Sequence, residues 1–258
     1  MQLRDRTFLL LGASGGIGRA LVGPLQAAGA RVITASRRPE DHSPRAGVVT
    51  AHLDLAADDL DQQLERLSEN HPDIDGVIHC AGQNRFAAID ELTVAQIDAQ
   101  LDVNLRSVML LARHFVPRLR QAGTGALVFV GSTFGSIGFP GYTGYCATKF
   151  GLRGFSEALR RELADTPVQV VYVAPRATRT AMNSTAVEEL NRALGNKMDT
   201  ADQVASHILT AMRKDERRRF LGWPEKAFVV INGLFPKVVD RAMLKQLPVI
   251  HRFLKGGV

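Results

Sequence analysis

Short, unbroken apolar runs alternate along this chain with longer stretches in which apolar residues recur at helical spacing. The first run, "TFLLLGA" at 7–13, reads as a parallel strand buried on both faces. "GRALVGPLQAAG" at 18–29 follows at helical spacing and stops on a glycine. The alternation then repeats. Strands are predicted at 31–37, 47–55, 75–82, 125–132 and 168–175, and helices at 58–70, 94–119 and 145–165. "RRFLGW" at 218–223 is expected to be a seventh strand. Strands and helices alternating in this way predict an α/β fold, a doubly wound parallel sheet of about seven strands flanked by helices. In such sheets ligands bind beyond the carboxyl ends of the strands.

Composition changes this picture little. The chain has 258 residues, 45% of them apolar and 22% charged, as in ordinary soluble proteins. No Pro/Ser-rich linker or repeat divides it, so a single domain over 1–258 is expected. Two cysteines, Cys80 and Cys146, are too few for a disulfide framework and point to a reducing compartment. The opening residues lack a cleavage region, and no later run reaches the roughly 18 apolar residues of a membrane span. The expected location is therefore cytoplasmic. Charge is unevenly placed. Residues 213–258 hold 11 Lys/Arg against 4 Asp/Glu, while 1–212 hold 21 against 22. The net charge of +6 thus belongs to the tail and says nothing about what the body binds.

Three signals fall at strand ends. In "GASGGIG", Gly12, Gly16 and Gly18 sit between the first strand and the first helix. Glycines there permit a tight turn and close backbone approach to a pyrophosphate, which the free N–H groups of a helix N-terminus would hold. The second strand ends "SRR". Ser36, Arg37 and Arg38 stand where an NAD site usually carries a carboxylate, and two guanidiniums suit a 2′-phosphate. This predicts NADP(H). In "YCATK", Tyr145 and Lys149 are i and i+4 and share one helix face. An ammonium one turn away should lower the phenol's pKa from its usual 10 or so towards a useful acid–base range. Ser132, ending the fifth strand, can donate a hydrogen bond to a carbonyl oxygen. No metal site is read from the sequence.

With "GASGGIG", "HCAG", "VNL", the serine of "GSTFGS", "YCATK" and "AP" followed by "TRT" in this order and spacing, the chain resembles the short-chain dehydrogenase/reductase family over roughly 5–190. The resemblance implies a Rossmann-like sheet and hydride transfer between a nicotinamide and a carbonyl or alcohol. It implies Tyr145 as acid/base, Lys149 on the nicotinamide ribose, Ser132 on the substrate oxygen and Asn104 supporting a water relay to Lys149. It also implies cofactor contacts from Ser14 and Ile17 in the glycine turn and from Asp54 and Leu55 after the third strand. Ala81 and Gly82 would lie beside the adenine ribose, and Pro175, Thr178 and Thr180 near the nicotinamide. The cofactor-binding and catalytic core would be 1–180, and 181–212 a substrate lid over an apolar ketone or aldehyde. Relatives commonly form dimers or tetramers. Two departures stand out. His79 and Cys80 replace asparagines, and Arg176 replaces a glycine near the nicotinamide, where it could meet an anionic substrate or face solvent.

The tail departs most. "PEKAFVVINGLF" and "PKVVDRAMLKQL" each open with proline, suited to a helix's first turn. In the second, Val238, Val239, Ala242 and Met243 form an apolar stripe and Lys237, Arg241 and Lys245 a basic one. This amphipathic extension fits packing on the domain or on a second subunit, or peripheral contact with a membrane. It carries no nucleic-acid-binding module. The leading functional reading is an NADPH-dependent oxidoreductase acting on a small carbonyl or alcohol. The alternative is a non-catalytic NADP-binding regulator or redox sensor on the same fold.

Overall fold

Seven of the apolar segments become parallel strands of one sheet. The computed structural model describes residues 1–39 and 46–255. Strands β1 (Thr7–Leu11), β2 (Arg31–Ser36), β3 (Val48–His52), β4 (Ile74–His79), β5 (Gly125–Val130), β6 (Val168–Ala174) and β9 (Arg218–Phe220) lie in the order β3-β2-β1-β4-β5-β6-β9. Each pair is parallel. The order reverses between β1 and β4, and such a switch point opens a crevice at the carboxyl edge. Two short strands missing from the sequence reading, β7 (Thr178–Arg179) and β8 (Asp199–Thr200), pair in a separate ribbon.

Burial on both faces explains the unbroken apolar runs. Leu9 and Leu11 of β1 point into a core shared with helices α2 (Leu60–Asn70), α4 (Ser107–Gln121) and α5 (Thr143–Glu162). Phe8 and Leu10 point the other way, into a core shared with α1 (Gly16–Ala27) and α7 (Ala201–Lys214). Each such leucine contributes about 1.5–3 kcal/mol by leaving water. Helix α7 corrects the expected lid over 181–212. Its Val204, Ala205, Ile208 and Met212 are fully buried in the core beside α1, and only the segment before it, with α6 (Thr185–Ala193), reaches the cleft.

The long helix predicted over 94–119 follows the expected path with one interruption. Helix α3 (Val94–Leu101) runs into a π-turn at Asp102–Arg106, and α4 continues from it. Within that wide turn the buried Asn104 is bonded away from the helix. Its Oδ1 accepts from Gln83 N–H at 2.8 Å, and its Nδ2 donates to Gln83 C=O at 2.8 Å and Thr148 Oγ1 at 3.0 Å. A side chain pinned to another loop in this way sits in the type of local widening that often marks functional helices.

The tail forms helices α8 (Glu225–Leu234) and α9 (Pro236–Lys255). α9 passes through Pro248 and continues past the quoted segment to Lys255. Its buried Ile250 joins Phe139, Tyr142, Cys146, Val187 and Leu190 in a third apolar cluster, with Met243, Val249 and Phe253 packed around it. The inner face of α9 is therefore packed on the domain. No helix among the described residues is long and apolar enough to cross a membrane.

Candidate active site

Strand register brings the three sequence signals to one edge. Leu11 of β1 pairs with Ala35 of β2 and His79 of β4, so Gly12, Ser36 and Cys80 emerge side by side. Gly12 has φ +80°, and a Cβ there would come within 2.5 Å of Ala81 N. A Cβ on Gly18 would be driven into the Gly12 carbonyl, and one on Gly16 would lie 2.6 Å from Thr180 Cγ2. The turn therefore has no room for side chains at these positions. Helix α1 opens at Gly15 with no side-chain cap and no acidic residue in its first turn. Its first N–H groups stay available at the cleft, as an anionic phosphate requires. These features fit a dinucleotide.

A cavity of about 210 Å³ extends from this turn to α5. Gly12, Gly16, Ile17, Gly18, Ala81, Gly82, Ser132, Tyr145, Lys149, Pro175, Thr178 and Thr180 all line it. Others among the residues singled out in the sequence do not. Asn104 is fully buried behind it, held by Gln83 and Thr148. Ser14 is exposed within the turn. Arg37 and Arg38 are exposed just past the end of β2. Asp54 lies beyond the end of β3, its Oδ1 accepting from Ala56 N–H at 3.0 Å, and Leu55 is buried beside it.

Lys149 is only 4% exposed, and its Nζ donates to the Val130 carbonyl at 3.1 Å. Burial lowers its pKa to about 8. The Nζ lies 5.6 Å from the centre of the Tyr145 ring. Burial pushes the Tyr145 hydroxyl well above the ordinary phenol range, and a hydrogen bond with Ser132 acts against that shift. In the chain alone, burial rather than the lysine sets the direction of the shift. The ammonium lies beside the ring and, among the described residues, makes no hydrogen bond to the hydroxyl, so desolvation of the phenolate dominates. Ser132 Oγ accepts from Phe134 N–H at 3.1 Å, which leaves its own proton for the Tyr145 oxygen or for a substrate oxygen.

Beyond Tyr145 the cleft is walled by aromatic rings that the sequence reading did not single out. Phe134 stacks on Phe139 at 4.9 Å and meets Tyr145 edge-on at 6.5 Å. Tyr142 lies 5.9 Å from Tyr145 and 5.1 Å from Phe86. Val187 and Leu190 of α6 complete the wall. The rings stand in irregular loops and at the start of α5, where no periodicity marks them.

The sequence pattern of the short chain dehydrogenase family matches residues 6–191. The chain belongs to that family. A short-chain type dehydrogenase/reductase of Sinorhizobium fredii, itself uncharacterised, is 34% identical over 71% of this chain and 74% of its own. A 3-oxoacyl-[acyl-carrier-protein] reductase of Bos taurus is 32% identical over 77% and 87%. The crystal structure of a Burkholderia cenocepacia short chain dehydrogenase in complex with NADP superposes with a TM-score of 0.82. It covers 95% of this chain and 99% of that one at 23% identity, a likeness of fold.

Set against the short-chain dehydrogenase pattern, the departures acquire physical roles. His79 is fully buried, and its Nε2 lies 3.1 Å from Ser107 Oγ, so it ties β4 to α4. Burial lowers its pKa to about 3 and keeps it neutral. Burial raises the Cys80 thiol to about 12, which leaves it protonated and unreactive at neutral pH. Cys146 is a buried packing residue in the third cluster. Arg176 lines the cleft with its side chain only 15% exposed, and it is paired within the chain. Its Nε and Nη2 donate to Asp199 Oδ1 at 2.9 and 2.6 Å, and Nη1 lies 3.5 Å from Glu225 Oε2. The residue joins the loop after β6 to β8 and to the start of α8.

Proposed function

We propose that this oxidoreductase is NADP(H)-dependent and interconverts an apolar ketone or aldehyde with its alcohol. The observation that carries the proposal is the convergence of Ser132, Tyr145 and Lys149 in one cleft that runs to the glycine turn. A bound nicotinamide dinucleotide would supply or accept the hydride and, when oxidised, add positive charge beside the phenol. Ser132 Oγ–H, turned from the phenol oxygen of Tyr145, donates to the substrate oxygen. Tyr145 gives that oxygen its proton on reduction and takes it back on oxidation, an effect worth about 10²–10⁴ in rate. Lys149, held on the Val130 carbonyl, keeps further N–H groups for the cofactor ribose. Asn104 fixes the loop carrying Gln83 next to it, and positions Thr148, the neighbour of Lys149. A water relay past Asn104, adenine contact at Asp54 and Leu55, and phosphate contact at Ser14 and Ile17 complete the proposed site.

Substrate class follows from the wall. Phe134, Phe139, Tyr142, Val187 and Leu190 offer apolar surface, and Arg176, which also lines the cleft, is already paired with Asp199 and Glu225. Such a wall favours uncharged, apolar substrates. NADPH oxidation followed across ketones and aldehydes of graded size and charge tests this. Turnover should be fastest with apolar carbonyls and weak with carboxylate-bearing ones; the reverse ranking would refute it.

Arg37 and Arg38 carry the cofactor preference in this reading. Replacing both with alanine should weaken NADPH binding by at least about tenfold, since one charged hydrogen bond is worth about 1.5–3 kcal/mol. NADH binding should barely change. Fluorescence titration of both nucleotides checks it, and tighter binding of NADH by the unaltered chain would overturn the assignment. We further propose a cytoplasmic protein that pairs through α4 and α5, whose outer faces expose Met109 and Phe150.

A further inference from the structure

Helix α8 is an anomaly of burial. Six of its ten residues are apolar (Ala227, Phe228, Val229, Val230, Ile231 and Leu234), yet none of the ten is buried. It is held at few points: Glu225 by Arg176, Asn232 by a 2.8 Å hydrogen bond to the Ser136 carbonyl, and one side by α9. Across α8 and the first half of α9, Trp223, Val230, Leu234, Phe235, Val238 and Leu244 are each more than half exposed. Of the fourteen large hydrophobic side chains exposed among the described residues, seven fall between Trp223 and Leu244. A concentration of this kind marks an interaction surface rather than ordinary scatter.

Charge identifies the occupant. Lys226, Lys237, Arg241, Lys245 and Arg252 are exposed in the same two helices. Of the two acidic residues there, Glu225 is paired with Arg176, and Asp240 stands alone among five cations. A second copy docked by two-fold symmetry would set this cationic surface against itself. An anionic lipid surface meets the cations with phosphates and the aromatic and aliphatic side chains with the headgroup boundary, and stable attachment generally needs both signals together. The inner face of α9 is already packed on the third apolar cluster, so the outer face and α8 are what remain to be covered.

We propose that α8 and the outward face of α9 dock on an anionic lipid bilayer. Trp223, Leu234 and Phe235 enter the headgroup boundary, and Lys237, Arg241 and Lys245 lie along the phosphates. This is attachment at the surface rather than insertion across the bilayer. It stands apart from the catalytic reading, because its test needs no turnover.

Trp223 is the chain's only tryptophan, so its emission reports directly on the surface. The full-length protein is titrated with vesicles of phosphatidylcholine alone and of phosphatidylcholine mixed with phosphatidylglycerol, and then sedimented with each. The proposal expects a blue shift and co-sedimentation with the mixed vesicles, both reversed by added salt, and neither with phosphatidylcholine alone. Replacing Lys237, Arg241 and Lys245 with glutamine, all three exposed, should lower affinity for the mixed vesicles roughly 100-fold, at about fivefold per cation. Equal behaviour with the two vesicle types would refute the proposal. So would emission that ignores vesicles but shifts on dilution of the protein, which would assign the face to a second copy.

Discussion

Tyr145→Phe abolishes most turnover while the protein still binds NADPH. The expected loss in kcat is about 10²–10⁴, the contribution of one well-placed proton donor. The substitution removes one oxygen and little else. The ring stays within the aromatic wall formed with Phe134 and Tyr142, and Ser132 keeps its bond from Phe134 N–H. Thermal stability should therefore hardly move, which separates lost chemistry from lost structure. The chain alone pushes the phenol's pKa upward, so the acidity that turnover needs depends on positive charge brought by the bound cofactor. Steady-state rates and nucleotide titration of the same variant supply the check. A variant that turns over like the unaltered protein would remove Tyr145 from the mechanism. A protein with no turnover before or after the change, yet binding NADPH, would be a regulator.

Arg176→Ala destabilises the fold by about 3 kcal/mol, the lower end for breaking a buried ion pair, because the Arg176 and Asp199 side chains are 15% and 12% exposed. That corresponds to roughly 6–12 °C in Tm for a chain of this size. The loss comes chiefly from what is left behind. Asp199 loses two charged donors, and Glu225 Oε2, buried without another hydrogen-bond partner, loses the guanidinium beside it. Lysine at 176 should recover part of the loss, since a point charge cannot reproduce the two-pronged contact. Thermal unfolding measures it. An unchanged Tm combined with a selective loss of activity on carboxylate-bearing substrates would return Arg176 to a substrate-binding role.

The sheet was readable because parallel strands buried on two faces must be apolar throughout, and "TFLLL" and "ALVFV" could hardly be anything else. The glycine turn and the Tyr145–Lys149 spacing were readable because backbone clearance and helix geometry act locally. What escaped depends on contacts distant in sequence. β7 and β8 have two residues each, too short to leave a pattern. Arg176 finds Asp199 across 23 positions, and nothing near either residue announces the other. The π-turn carries Asn104, which bonds to Gln83, a loop residue on another segment. α7 could have been recognised: Thr200 and Gln203 form a capping box ahead of Val204, Ala205, Ile208 and Met212 at helical spacing. The direction of the Tyr145 shift in the chain alone was illegible for another reason. Spacing places the lysine on the same face, but burial, which sets the sign of the shift, is a property of the assembled cleft.

Strand order also decides when the molecule can be finished during translation. β1 occupies the middle of the sheet, yet its neighbour β4 begins only at Ile74, and α7, which covers Phe8 and Leu10 together with α1, is complete only at Lys214. At ribosomal speeds of about 5–20 residues per second, that face of the nascent chain stays only half covered for roughly 10–40 s. The earliest strand to emerge is among the last to be sealed from water, and a shielding chaperone would have most to do in that interval.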